Sequence, residues 1–256
     1  KQRDKKLSLK VAYTPNEHDE YALAVSTQKG TKESPFYSGA DSFERYWRWP
    51  MWDKDSIYFL SHTEFDTHHL TLNTKAFYDT FKNDLRAFDD ATFSTQKKKS
   101  SFNSYYRDYS YGAGFDLGGD LTSKDHLKFS TLIKYDVHRE HNDDEPTAVD
   151  KDRTYNFGLE NTHHFNEKTS LITGISYDKR DSNRAEKFEK QCASTHQKNA
   201  ICPFDIGNKH AFNYQIKLAH HFSENDEFTL SFAKKTRFAI MKERYSRRFG
   251  RTEPNP

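Results

Sequence analysis

The feature that most constrains this chain is a period of two. Leu7, Leu9, Val11 and Tyr13 alternate with Ser8, Lys10 and Ala12. Leu127, Phe129, Thr131, Ile133, Tyr135 and Val137 alternate with Lys128, Ser130, Leu132, Lys134 and Asp136. The same pattern recurs at 21–27, 70–78, 111–117, 155–159, 171–177, 212–218 and 228–232. A tenth segment, 56–65, has a less regular phase, with Ile57 and Phe59 assigned to its apolar face. Successive side chains of a strand point to opposite faces, so the pattern predicts ten half-buried strands, each with one apolar and one polar side. No segment sustains a helical period.

The connections sort into two classes. Short ones at 14–20, 66–68, 122–125, 166–168 and 223–227 alternate with long polar stretches at 29–54, 80–109, 138–153 and 178–210. A compact soluble domain rarely carries four structureless loops of that length. An up-and-down meander, with short turns at one rim and long loops at the other, accounts for the alternation. That is the pattern of an outer-membrane barrel. Composition fits: 34% of residues are hydrophobic and 30% charged, and the mean hydropathy is −1.06, so an ordinary buried core would be thin. Aromatic residues nevertheless make up 15%, which argues against disorder. Lys and Arg number 40 against 38 Asp and Glu, without the basic excess of a dedicated nucleic-acid binder. No apolar run approaches the roughly 18 residues of a membrane helix, and no signal peptide is visible. Alternating strands escape such hydropathy sums.

Periodicity alone does not separate a soluble sandwich from a barrel. Three features favour the barrel. The expected strands are about 9–11 residues long, a tilted bilayer crossing. Tyr13, Tyr21, Phe65, Phe165, Phe222 and Phe228 sit at strand ends beside the short turns, as an interfacial girdle would. Lys10, Lys75, Lys128, Lys134, Lys217 and Glu160 fall mid-strand on the polar face, where a wet lumen would solvate them. The fold class is therefore all-β, an antiparallel up-and-down transmembrane β-barrel.

Three stretches resemble the barrel of TonB-dependent outer-membrane receptors: residues 9–23 with their Thr14-Pro15-Asn16 turn, the run 45–54 (Arg45-Tyr46-Trp47-Arg48-Trp49-Pro50-Met51-Trp52-Asp53-Lys54), and 245–256, where a Phe249-Gly250 step leads to Pro254-Asn255-Pro256. The resemblance implies that 1–256 is part of a larger barrel, about ten strands of 22, with the plug domain and the C-terminal strands absent from it. Such a sheet, with two open edges and a lipid-facing surface, is not expected to stand alone in water. The resemblance also implies the function: uptake of a scarce nutrient, most often a ferric siderophore or other iron complex, driven by TonB acting through the plug. A passive channel or surface adhesin on a similar barrel is the alternative from another class, and a soluble all-β binding module is a third. The remaining expected contacts are the lipid bilayer and lipopolysaccharide, with no nucleic acid and no cofactor.

Catalytic motifs are missing: no GxSxG elbow, HExxH or P-loop occurs, so no enzymatic role is expected. The adjacent pairs His68-His69, His163-His164 and His220-His221 would point to opposite faces of a strand and not chelate one metal. The acidic and imidazole run 138–145 is read as solvated loop, and no metal site is expected. The segment 36–52 is the most unusual. Phe36, Tyr37, Phe43, Tyr46, Trp47, Trp49 and Trp52 accompany Arg45 and Arg48 on an expected extracellular loop. The indoles are read first as anchors at the outer interface; as ligand contacts, Tyr37, Arg45, Tyr46, Trp47, Arg48 and Trp49 would suit a flat, anionic, aromatic metal complex. A second basic-aromatic region, 93–111, carries Lys97, Lys98 and Lys99 and would suit lipopolysaccharide phosphates. Cys192 and Cys202, with nine residues between them, lie in a loop-like stretch without a zinc ligand pattern. A disulfide in an oxidising compartment is favoured over two free thiols.

Overall fold

The computed structural model describes residues 1–35, 45–192 and 195–245. The strands in chain order are β1 (Gln2–Tyr13), β2 (Asp19–Glu33), β3 (Tyr46–Phe65), β4 (Leu70–Phe88), β5 (Asn103–Asp120), β6 (Asp125–Asn142), β7 (Ala148–Asn166), β8 (Thr169–Arg184), β9 (Glu186–Gln191), β10 (Lys198–Pro203), β11 (Asn208–His221) and β12 (Glu227–Lys234), followed by a helical turn α1 (Met241–Tyr245). Ten of them form one antiparallel sheet in the order β1-β2-β3-β4-β5-β6-β7-β8-β11-β12. The ten alternating segments of the sequence are these ten strands. Each pairs with its neighbour in the chain except where the β9–β10 hairpin, a separate two-stranded sheet, intervenes between β8 and β11.

The register merges the apolar halves into one surface. Leu9 pairs with Val25, Val25 with Ile57, Ile57 with Tyr78, Tyr78 with Tyr111 and Tyr111 with Tyr135. Paired residues share a face, so this ladder is a continuous apolar band. The band is exposed: Leu7 is 69% accessible, Ile175 63% and Phe232 63%. Buried positions have the opposite character. Asp150, Asp152, Arg180 and Arg244 are all buried, while half of the buried apolar residues described are alanines. A sheet with a greasy exterior and a charged interior suits lipid as its outer solvent, because alternation lets one face meet hydrocarbon while the other stays wet.

The strands are longer than the hydropathy pattern indicates. β3 spans 20 residues, β4 and β7 span 19 each, and β5 and β6 span 18 each. The expected loops 80–109 and 138–153 consequently shrink to 89–102 and 143–147. The reason lies in the outward face. Above the apolar band its positions become Asp84, Arg107, Arg139 and Lys151, so the backbone ladder continues after the apolar alternation has stopped. The expected loop 178–210 contains β9 and β10. At the other rim the connections are short, as expected. One expectation fails there: His68 and His69 are not extended but form the turn itself, with φ of 56° and 46°. A left-handed pair at this point closes the tight β3–β4 turn.

Beyond β12 the chain leaves the sheet and crosses its polar face. The Thr236 amide donates to Asn213 Oδ1 at 2.7 Å, and Arg180 Nη1 donates to the Ala239 carbonyl at 2.9 Å. α1 then places Arg244 between Asp152 and Ser182, donating to Ser182 Oγ at 2.6 Å.

Candidate ligand-binding face

The polar face of the sheet is a wall of charge and amide groups. Lys134 pairs with Asp136 at 2.9 Å, and Gln215 Nε2 donates to Glu160 Oε2 at 2.7 Å. The mid-strand cations of the sequence lie on this face, and two more of them pair there, Lys10 with Glu20 and Lys217 with Glu227, each at 3.9 Å. A hollow of about 330 Å³ opens beside Lys128, Glu160, Asp178, Asn213 and Lys234.

Aromatic chemistry gathers at one place on this wall, at the long-hairpin end of β3 and β4. Between Arg48 and Met51 the register of β3 against β4 slips by one residue. Pro50, which has no N–H for the ladder, lies in the slip. The extra residue shifts the alternation, so that Trp47, Trp49 and Trp52 all face inward. Their rings meet edge to face, Trp47 to Trp49 at 5.9 Å and Trp49 to Trp52 at 6.1 Å. Phe81 extends the row at 4.9 Å from Trp52, and Phe102 at 6.5 Å from Trp47. Two cations lie over it: Lys32 Nζ is 2.9 Å from the Trp52 centroid and 4.6 Å from that of Trp49, and the Arg45 guanidinium is 5.0 Å from Trp47. Cations held against electron-rich ring faces make a surface for a flat anion.

The candidate set from the sequence is thus divided. Trp47 and Trp49 are inward, with Arg45 against Trp47. Tyr46 and Arg48 fall on the opposite face, where they contact Phe93, with the Arg48 guanidinium 3.9 Å and the Tyr46 ring 6.4 Å from its centroid. Arg48 Nε also lies 3.0 Å from Glu33 Oε1. Strand alternation separates what adjacency in the sequence had grouped. Tyr37 lies outside the described residues, as do 246–256 and the Pro254-Asn255-Pro256 motif. The expected loop location is corrected as well: from Tyr46 onward these residues belong to β3. Lys32, Phe81 and Phe102 were missed, because each comes from a different segment and only sheet register brings them to the row. Pro50 was the available signal, since a proline within a strand marks an edge or a bulge.

Two further features border this rim. Asp89 organises the β4–β5 connection: its carboxylate accepts from the amides of Lys97 at 2.7 Å and Lys98 at 2.9 Å and from the Ser101 hydroxyl. Those donors hold the Asp89 carboxyl well below the usual carboxylate range. The β9–β10 hairpin carries a disulfide between Cys192 and Cys202, with Cα atoms 5.5 Å apart. Among the described residues no group of three or more His, Cys, Asp or Glu is placed to hold a metal ion. The acidic run 138–145 is strand and hairpin rather than solvated loop: His138 bonds Asp108 through Nδ1 at 2.9 Å, and Asn142 Nδ2 donates to Glu145 at 2.8 Å.

No protein-family profile and no curated protein matches the chain. Solved structures do. The copper transporter OprC superposes with a TM-score of 0.75 over 95% of this chain and 39% of its own, at 13% identity. The ferric-catecholate import receptor Fiu of E. coli K12, in its closed form, gives 0.62 over 91% of this chain and 43% of its own, at 11% identity. The FrpB iron transporter of Neisseria meningitidis gives 0.62 over 91% and 36%, at 9% identity. The chain has the fold of the TonB-dependent outer-membrane receptor barrel. It spans about two fifths of the length of these receptors. Their shared fold explains the inverted sheet: in a receptor barrel the apolar band faces the bilayer and the charged wall faces the lumen. These three structures are of transporters and receptors.

Proposed function

We propose that residues 1–256 form part of the barrel wall of an outer-membrane receptor that takes up a scarce nutrient by TonB-dependent transport, with a ferric siderophore or another iron complex as cargo. The observation that carries this reading is the inward row Trp47-Trp49-Trp52 with Lys32 and Arg45 against its rings. Ring faces and fixed cations together favour a planar anionic complex over a sugar or a neutral solute. The row also lies at the long-hairpin rim, where a ligand arriving from outside would first meet the wall. Fiu and FrpB, named for ferric-catecholate import and iron transport, lend the cargo class further support. In this reading the plug through which TonB acts, and the remaining strands, are supplied by other parts of the protein.

The test is uptake of radiolabelled iron from a ferric catecholate by cells with and without the gene, each with and without functional TonB. Uptake that needs both supports the proposal. Uptake that persists without TonB, together with a wide open conductance of the purified protein in a planar bilayer, overturns it in favour of a passive channel.

A further inference from the structure

The crossing segment 235–245 covers a guanidinium whose hydrogen bonding is incomplete. Arg180 lies on the inward face of β8, where register sets it opposite Thr154 of β7 and Lys209 of β11. It is 4% accessible. Nη1 donates to the Ala239 carbonyl, and the Phe238 ring centroid lies 5.8 Å from the guanidinium. Nε and Nη2 are buried with no hydrogen-bond partner among the described residues. These two nitrogens form one edge of the guanidinium, and their parallel N–H bonds match the two oxygens of a carboxylate. A buried charged donor without an acceptor is costly, so an edge with two of them points to an acceptor brought from elsewhere.

The inward carboxylates beside Arg180 are already engaged. Asp152, on β7, accepts from Ser182 through Oδ1 and from Arg244 through Oδ2. Asp178, two residues before Arg180 on the same face, accepts from Asn156 through Oδ1 and from Asn213 through Oδ2. Among the described residues no ion pair engages Arg180 or Lys209. Below Arg180 the hollow beside Asp178 and Asn213 reaches the start of the crossing segment at Lys235 and Thr236, with Lys128 also on its wall. Its volume of about 330 Å³ is at the small end of the range for small-molecule sites. The step from Asp178 to Arg180 along the strand is about 7 Å.

We propose that Arg180 and this hollow form a second binding site, for a small di- or tricarboxylate. One carboxylate takes the Nε–Nη2 edge. The rest of the molecule lies in the hollow, where Lys128 and Lys235 meet its remaining charge. The crossing segment is the cover: it lifts at Phe238 and Ala239 to admit the ligand. Phe81 of the aromatic row is on β4, four strand spacings or about 19 Å from β8. The site is therefore separate from the one proposed for an iron complex and goes beyond that reading. An aspartate or glutamate from another part of the protein offers the same chemistry, and the test separates the two sources.

The test uses the whole protein in detergent, with iron-free citrate as the probe. Calorimetry should show one citrate bound per chain, and the neutral triamide of the same skeleton should not bind. Affinity should fall about tenfold or more in R180Q and also in R180K, because an ammonium keeps the charge but not the two parallel donors. Citrate should speed tryptic cleavage after Arg237 and Lys242 severalfold in the native protein and not in R180Q. Tryptophan emission should stay unchanged, since all three indoles lie in the distant row. Native protein that binds no citrate overturns the proposal and assigns the edge to a carboxylate of the protein itself. Full binding retained by R180Q, equal binding of the triamide, or quenched tryptophan emission overturns it as well. The native protein, the triamide and the tryptic pattern decide the matter even where R180Q fails to assemble. Iron uptake that proceeds without TonB would overturn the transport reading and leave this site standing.

Discussion

Arg244 reaches back 92 positions to bond the carboxylate of Asp152, and both side chains are buried, at 2% and 7% accessibility. Ser182 ties the pair together, donating to Asp152 Oδ1 at 2.9 Å. A charged pair buried on the inner face holds the crossing segment 235–245 against β7 and β8.

Breaking this pair from one side leaves a buried charge without its counter-ion, which costs about 3–5 kcal/mol. Arg244→Met should therefore lower the unfolding midpoint in detergent and free the crossing segment to proteases. Arg244→Met with Asp152→Leu, which removes both charges, should recover much of the loss. Equal melting of the single and double variants would contradict the pairing.

The three tryptophans of the chain all lie in the inward row, so intrinsic fluorescence reports on that row alone. Titration with a ferric catecholate should quench emission saturably. Trp52→Ala should weaken the apparent affinity about tenfold, since it removes both a stacking surface and the ring beneath Lys32. Tyr46→Ala, on the opposite face, should change it little. Matching losses in the two variants would place the ligand elsewhere.

Strand number and face were legible in the sequence because the lipid-facing half of each strand alternates without interruption, as in 127–137. The upper halves were not, because Arg107, Arg139 and Arg153 replace apolar residues outward while Asp136, His138 and Asp152 stay polar inward. Once both faces are polar, period two disappears from hydropathy although the ladder persists. The candidate site suffered twice. Alternation splits Trp47 and Trp49 from Tyr46 and Arg48, and the slip at Pro50 then brings Trp52 back to the inward side. Lys32, on another strand, leaves no local trace. The cysteine pairing was legible because a short separation in an oxidising compartment leaves few alternatives.

The disulfide belongs to the β9–β10 hairpin, outside the ten-stranded sheet. Replacing Cys192 and Cys202 with Ser should leave assembly and heat resistance of the barrel intact and weaken ligand capture severalfold, through a less constrained rim. The bond leaves neither cysteine with a free thiol. An impermeant maleimide should therefore label intact cells only after reduction. Labelling of untreated cells would refute the bond.

Asp89 sets a pH expectation. Its folded-state pKa lies below the unfolded value, so its contribution is fully present above the ordinary carboxylate range and is lost as pH falls through the depressed value. Protection of the Lys97 and Lys98 amides, corrected for intrinsic exchange, should thus be the same at neutral and mildly acid pH. It should fall at any pH in Asp89→Asn, and trypsin should then cut at Lys97–Lys99. Early loss of protection on mild acidification would contradict the carboxylate's role.

The central claim is that one face of this sheet meets lipid and the other water. Single cysteines placed in a Cys192→Ser, Cys202→Ser background at Phe157, Gly158, Leu159 and Glu160, and spin-labelled in native membranes, test it most directly. Phe157 and Leu159 should be accessible to oxygen and shielded from a water-soluble nickel complex, with Gly158 and Glu160 showing the reverse. Equal accessibility at all four positions, or the opposite alternation, would contradict the account.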